Sequence, residues 1–169
     1  MRRDARSHRL VPVAGVVLLA LAGVACGGDE GSDASNRQDE VAERGADVMP
    51  FDLDATTHDF EPTPTGLLET VVADDPDDEQ QVELVQAHLA EEAARFRAGD
   101  YGDPAAIHGQ DMPGLAELEA GAGDVTIELA DLADGARLTF TSSDPQLVDA
   151  LRRWGEAQTS DHGEHAEPN

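Results

Sequence analysis

The same succession of patterns, two strand-like segments around a turn and then a helix, occurs twice in this chain. It constrains the fold more than any other feature. Residues 58–61 and 67–73 are strand-like segments on either side of a turn rich in Pro, Thr and Gly. Residues 79–99 then place apolar side chains on one stripe at helical spacing. The stripe consists of Val82, Val85, Leu89, Ala93 and Phe96. The stretch therefore predicts a strand–turn–strand–helix unit, with Pro76 in the first turn of the helix.

The second copy of the pattern lies nearer the C-terminus. Residues 125–129 and 136–141 flank Asp134-Gly135, a dipeptide typical of tight hairpins. Pro145 then opens a helix whose inward positions include Leu151 and Trp154. Two such units predict an α+β domain, with a four-stranded, mostly antiparallel sheet and both helices on one face. Between the units, the sequence predicts a connector with a short helix at residues 115–120.

The N-terminus has the pattern of an export signal. Four arginines precede an uncharged apolar run from Leu10 to Ala25, which has sixteen residues. A spanning helix needs about 20 residues, so the run is of signal-peptide length. It ends in Gly23-Val24-Ala25-Cys26, small residues before the only cysteine of the chain. We therefore predict a lipoprotein signal peptide over residues 1–25 and lipidation of Cys26, including an acyl chain such as palmitate. The alternatives are an ordinary secretory signal and an uncleaved anchor.

The rest of the chain divides by composition. Residues 26–47 are polar and acidic, with Val41 as their only large aliphatic side chain, which predicts a disordered acidic tether. Residues 48–162 hold the apolar positions described above and predict a single α+β domain. Residues 163–169 predict a disordered tail.

Charge and residue usage exclude several classes of function. The chain has 11 basic and 36 acidic residues, a net charge of −25. Signal cleavage would remove four arginines and one aspartate and leave a net charge near −28. Such a surface repels nucleic acid, so a nucleic-acid partner is not expected. Because the chain has no lysine, Schiff-base chemistry and a P-loop are excluded. With Cys26 lipidated, no thiol is left for catalysis or for a thiolate metal site.

Histidines carry the candidate metal chemistry. Imidazole and thioether ligands suit copper and related transition metals, and an exported protein meets such ions. The candidate ligands are His88, His108, Met112 and His162. Asp111 or Asp161 could orient a ligating histidine through a hydrogen bond. A structural interpretation stays open for each of the four, since their spacing matches no metal motif. His88 would then lie at the edge of the core, and His162 in a solvated tail.

Several segments resemble a family of small bacterial secreted or lipid-anchored proteins. The similar segments are residues 49–54 with Thr57-His58, residues 103–109, residues 112–115, residues 134–136, and residues 157–158 with 161–163. No activity is attached to that family, although members often carry the label aspartate carbamoyltransferase. That enzyme holds carbamoyl phosphate on an S-x-R-T-R loop with help from a lysine, and this chain has neither. The resemblance draws attention to His58, His108, Met112 and His162.

Together these observations predict a non-enzymatic binding lipoprotein, anchored by lipid at the outer face of the cell membrane. The alternative is a copper-binding or other transition-metal-binding protein of the cell envelope that uses the His/Met site. A protein partner, if the domain has one, is not indicated by the residues. Aspartate carbamoyltransferase activity is not expected.

Overall fold

The computed structural model describes residues 30–162. Within that range the elements are α1 (Glu30–Val48), β1 (Thr56–Thr63), β2 (Gly66–Ala73), α2 (Glu79–Arg97), α3 (Gly102–His108), α4 (Leu115–Gly121), β3 (Val125–Asp131), β4 (Gly135–Ser142) and α5 (Pro145–His162). Among these residues, no helix is both long and apolar enough to span a membrane. The predicted signal peptide (1–25), Cys26 and the predicted tail (163–169) lie outside the described residues.

The four strands form one antiparallel sheet in the order β1-β2-β4-β3. β1 and β2 form one hairpin, β3 and β4 form the other, and β2 pairs with β4 at the centre. The strand alternation of the sequence explains this arrangement, because every second residue of each strand points toward the helices. The predicted α+β class and the four-stranded antiparallel sheet are confirmed.

α2 and α5 cover the same face of the sheet, and each lies mainly over the hairpin of the other unit. α5 packs on β1 and β2, whereas α2 packs chiefly on β3 and β4. The Trp154 ring meets the rings of Phe96 and Phe140 edge-on, with centroids 5.9 and 5.5 Å away. Trp154 and Phe140 are fully buried. Because each helix covers the hairpin of the other unit, the two units share one aromatic core.

The helix starts follow the sequence prediction in one unit and differ in the other. Pro145 begins α5, and the Asp144 side chain accepts a hydrogen bond from the Gln146 amide at 2.8 Å. α2, however, begins at Glu79 and is capped by Asp78, so Pro76 lies in the turn before the helix. The connector contains the predicted short helix as α4 and also the helix α3, which the sequence pattern does not predict.

α1 replaces the disordered tether that the sequence predicts over residues 26–47. The helix runs from Glu30 to Val48 and packs against α3 and α5. Val41 is only 1% exposed, although it is the sole large aliphatic residue of the predicted tether. Arg37 and Arg44 donate hydrogen bonds to the carbonyl oxygens of His108 and Ile107. The folded domain therefore begins well before residue 48, because polar contacts supplement one buried apolar side chain.

Candidate functional site

A pocket lies between the helix-covered face of the sheet and the helices α2, α3 and α5. Its cavity volume is about 30 Å³, room for about one or two water molecules. Small-molecule pockets span roughly 300–1,000 Å³, so a ligand of more than a few atoms would fit only if side chains moved or if part of it stayed in the open mouth. Its described lining residues are Val48, Met49, His58, Phe60, Glu69, His88, Leu89, Glu92, Phe96, Asp103, Pro104, Ile107, His108, Gln158 and His162.

Four histidines from four different elements line this pocket. His58 of β1 stacks on His162 at the end of α5, with ring centroids 5.0 Å apart and an interplanar angle of 7°. The His108 ring of α3 meets His162 edge-on at 5.1 Å. His88 of α2 packs against Phe51 at 5.6 Å. Three of the four predicted metal ligands thus line one pocket, and His162 is half-buried rather than part of a solvated tail.

His108 is held by a chain of polar contacts that reaches α1. Its Nδ1 lies 3.0 Å from Oδ2 of Asp161, and Arg37 donates two hydrogen bonds to the same carboxylate. Burial lowers the pKa of His108, and the Asp161 carboxylate opposes that shift. Burial alone would raise the pKa of Asp161, but the hydrogen bonds from Arg37 and His108 hold it below its usual value. The contact fixes the orientation of the imidazole ring.

His88 has a different environment. It lies half-buried on α2, one turn before Glu92. Burial lowers its pKa, while the charges of Asp103 and Glu91 act in the opposite direction. A neutral imidazole is the form that can accept a hydrogen bond or bind a metal. His88 and His108 therefore both favour the state in which a ring nitrogen is available to a ligand.

Met112 does not join the histidines. Its side chain is buried in the hydrophobic core and does not line the pocket. Asp111, the other aspartate considered as an orienting partner, is exposed, whereas Asp161 does bond a candidate histidine. Within residues 30–162, no group of three or more His, Cys, Asp or Glu side chains is placed to hold a metal ion. The predicted metal site is thus brought together only in part.

Two glutamates of the pocket are absent from the sequence-predicted site. Glu69 is a core-facing residue of β2, and burial raises its pKa to about 7. Glu92 lies on the buried side of α2, where burial and then the charge of Asp103 raise its pKa to about 8. Perturbed acids that share a cleft mark a candidate functional site. A signal for both was present in the sequence, since each interrupts a run of inward-facing apolar positions.

Gln158 of α5 completes the polar lining. It is 5% exposed, and its Oε1 is shielded from solvent. The residue lies one helical turn beyond Trp154, so α5 carries the core and the pocket on the same face. A buried amide costs free energy unless its polar atoms are paired. Gln158 is therefore a residue of α5 whose side-chain oxygen could accept a hydrogen bond from a bound molecule.

Comparisons with known proteins add no identity. No protein-family model, no curated protein and no solved structure matches this chain. The resemblance noted from the sequence accordingly stays a prediction.

Proposed function

We propose that the chain is an extracytoplasmic lipoprotein, held at the membrane by lipid on Cys26, whose domain binds a small molecule in the histidine-lined pocket. The observation that carries the binding role is the buried polar lining. Glu92 and Gln158 are 7% and 5% exposed, and each has a side-chain oxygen that accepts no hydrogen bond within the described part of the chain. Such groups cost free energy to bury unless a partner supplies hydrogen bonds. A bound ligand would provide that partner.

Binding rather than covalent catalysis fits the residue types around the pocket. The described lining residues comprise histidines, acids, one amide and apolar side chains. They include no Ser, Thr, Cys or Lys, the residue types that most often act as nucleophiles. Apolar walls with a few convergent polar groups are the usual lining of a ligand pocket.

The anchor is tested by acyl labelling. Cells that express the chain would be fed an alkyne analogue of palmitate, and the labelled protein would be followed in membrane and soluble fractions. We expect label and membrane association in the native chain, and loss of both in Cys26→Ala. Retained membrane association without label in the native chain would favour an uncleaved anchor instead.

The binding role is tested by a thermal-shift screen of the full chain against a library of small polar and charged molecules. Each hit is then measured with Gln158→Leu and with Gln146→Leu, a change at an exposed position of the same helix. Leu is close to Gln in size, and replacing an unpaired buried amide by an apolar group costs little stability. We expect pocket ligands to lose their thermal shift in Gln158→Leu alone. Hits that both variants retain would place binding elsewhere.

Metal binding is the second candidate, and the convergence of three predicted ligands supports it. His162 lies within about one ring diameter of His108, and His88 lines the same pocket. A site would need side-chain movement to bring three nitrogens to one point, because no such group exists in residues 30–162 as they stand. Copper and zinc titrations of the native chain and of His88→Ala/His108→Ala test this role. Stoichiometric binding that the double variant loses would support it, and equal weak binding would oppose it.

A further inference from the structure

Three imidazole rings from distant parts of the chain meet in the pocket, and we call them the histidine cluster. His58 lies on β1, His108 at the end of α3 and His162 at the end of α5. The ring centre of His162 is 5.0 Å from that of His58 and 5.1 Å from that of His108. His58 and His108 are buried, and His162 is half-buried. Because imidazole is the commonest metal ligand among protein side chains, the cluster is a candidate metal site.

The spacing of the rings is that of ligands of one ion. Zinc–imidazole bonds are about 2.0–2.1 Å long, so two rings bound to one tetrahedral ion have centres about 5 Å apart. Both distances within the histidine cluster match this value. Rings in ordinary contact are also roughly 4.5–7 Å apart, so the spacing is necessary for a shared ion but not sufficient. The surroundings of His108 and the size of the cavity favour the ion.

His108 is held as metal-bound histidines are held. Its Nδ1 lies 3.0 Å from Oδ2 of Asp161, so Nε2 is the nitrogen that remains for a ligand. Histidines that bind a metal through one nitrogen almost always donate the other N–H to a carboxylate, a carbonyl or water, which fixes the tautomer and the direction of the ring. Arg37 donates two hydrogen bonds to the same carboxylate and so fixes Asp161 in turn. A nitrogen of His108 is therefore directed before any ligand arrives.

The cavity has the size of an ion rather than of an organic molecule. Its volume of about 30 Å³ accommodates a metal ion with one water molecule. Phe51 and Phe60 pack near the His58 ring, with centroids 5.8 and 6.4 Å away, and provide an apolar shell. Such a shell limits the access of solvent to a bound metal. Neutral imidazoles suit this setting, because they bind a metal without bringing a negative charge into the core.

An ion requires one ring to turn. The rings of His58 and His162 are parallel to within 7°, and among residues 30–162 no three ligand groups are placed to hold a metal as they stand. The centre of an imidazole ring lies close to the line of its Cβ–Cγ bond, and rotation about that bond is soft. A turn therefore redirects the nitrogens and hardly moves the ring centre. His162 is half-buried in the last turn of α5, so its ring turns at the lowest cost.

We propose that His58, His108 and His162 bind one divalent first-row transition-metal ion through neutral imidazoles, with Asp161 as the positioning residue for His108. The inference rests on the metal-binding role given above as the second candidate, and it deepens that role by replacing His88 and Met112 with His58. Three histidines leave the fourth position of a tetrahedral ion to water or to a small ligand.

Zinc titration of the full chain, without a histidine tag and in a non-ionic detergent, tests the ligand set by isothermal calorimetry. The variants are His162→Ala and, as a matched control, His88→Ala, which removes a histidine of the same pocket outside the cluster. We expect one ion per chain, bound by the native chain and by His88→Ala at least about tenfold more tightly than by His162→Ala. Absence of binding to the native chain, or equal affinities in all three proteins, would overturn the proposal.

Cobalt reports the coordination directly, because a tetrahedral Co²⁺ ion absorbs visible light far more strongly than the hydrated ion. We expect strong absorption in the native chain and its loss in His162→Ala. The spectrum of the native chain needs no variant of the two buried histidines, so it decides the geometry even if those variants do not fold. A native spectrum like that of the hydrated ion would contradict a site of three imidazoles.

The positioning role of Asp161 has its own test. Asp161→Asn should lower zinc affinity by about tenfold, since the carboxylate directs Nε2 of His108. Asp149→Asn removes an exposed carboxylate from the same helix and should lower zinc affinity by less than about twofold. Equal losses in the two variants would reduce the effect to overall charge and would remove Asp161 from the site.

The inference and the proposed function fail in different ways. If zinc does not bind but the thermal-shift screen gives hits that depend on Gln158, the metal site is wrong and the small-molecule role stands. If zinc binds and is lost in His88→Ala but kept in His162→Ala, a metal-binding role stands and the histidine cluster is the wrong ligand set.

Discussion

Nδ1 of His108 lies 3.0 Å from Oδ2 of Asp161, and this contact joins the end of α3 to the last turn of α5. The same carboxylate accepts hydrogen bonds from Arg37 at 3.0 and 2.6 Å. One aspartate therefore links three helices next to His108, which lines the pocket. Because the Asp161 side chain is 13% exposed and the Arg37 side chain is 41% exposed, solvent screens this ion pair only in part.

Asp161→Asn is expected to destabilise the domain. The substitution removes the charge that pairs with Arg37 and weakens the bond to His108. After allowance for the exposure of Arg37, we expect a loss of about 1 kcal/mol in the free energy of unfolding. Urea unfolding measures this loss. The control is Asp149→Asn, which removes a 70% exposed partner of Arg153 and should cost less than about 0.5 kcal/mol. Equal losses in the two variants would contradict a special role for Asp161.

Val41→Asp is expected to release α1 from the domain. Val41 is 1% exposed, and an unpaired carboxylate at this position cannot stay buried. Trypsin reports the release, because Arg37 and Arg44 are its only cleavage sites between residues 10 and 94. We expect cleavage at these sites to become at least about tenfold faster, as cleavage follows the population of the open helix. Ala42→Asp adds the same charge at the exposed neighbouring position and should leave the rate nearly unchanged.

Gly114→Ala is expected to disturb the contact between the connector and α5. Gly114 has φ +85°, and an added Cβ would lie 2.2 Å from the carbonyl oxygen of Ala150. Gly99 also has a positive φ, +77°, but its nearest neighbour would be the Ala122 Cβ at 3.3 Å. We therefore expect a loss of about 1 kcal/mol for Gly99→Ala and more than about 3 kcal/mol for Gly114→Ala. Thermal unfolding measures the stability of the two variants. Similar losses would mean that the positive φ causes the destabilisation and that the contact with Ala150 adds nothing.

Sequence patterns predicted the sheet because its strands alternate clearly and its turns contain proline, glycine and Asp-Gly. The same patterns missed α1, since a helix with one buried aliphatic residue has no apolar stripe to detect. Arg37 and Arg44 hold it through backbone carbonyls of α3, and the sequence gives no sign of such contacts. Tertiary packing, not local propensity, makes this segment helical.

The sequence predicted the residues of the candidate site only in part. The sequence identified three histidines that line the pocket, because histidines are conspicuous in a chain with few aromatic groups. It misplaced Met112, since spacing along a connector does not tell which side chain turns into the core. Glu69 and Glu92 were hidden among 36 acids, although each interrupts an inward-facing apolar series. What distinguishes these two glutamates in the sequence is that each occupies an inward-facing position of its strand or helix. Their charge does not distinguish them from the other acids.

The buried acids make a prediction about pH. Burial raises the pKa of Glu69 to about 7 and, with the charge of Asp103, that of Glu92 to about 8, whereas an unfolded glutamate titrates near 4.5. Between these values the folded state keeps protons that the unfolded state has lost. The stability from these two groups is therefore complete below pH 4.5 and is lost as the pH rises toward 8, with a slope of up to about 1.4 kcal/mol per pH unit for each proton.

Glu92→Gln should flatten this dependence, because glutamine stays neutral at every pH. We expect the variant to be more stable than the native chain at pH 8, by an amount on the order of 2 kcal/mol, and to lose that advantage at pH 5. Urea unfolding at pH 5, 6, 7 and 8 measures the difference. The other titratable groups of the pocket are present in both proteins: His58, Glu69, His88, Asp103, His108 and His162. Because the charges of Asp103 and Glu69 act on Glu92, the difference also contains any change in the titration of these two acids. Glu83→Gln, at an exposed position of α2, should show the same pH dependence of the free energy of unfolding as the native chain. If Glu92→Gln also shows the pH dependence of the native chain, Glu92 is ionised at neutral pH and Arg95 alone balances its charge.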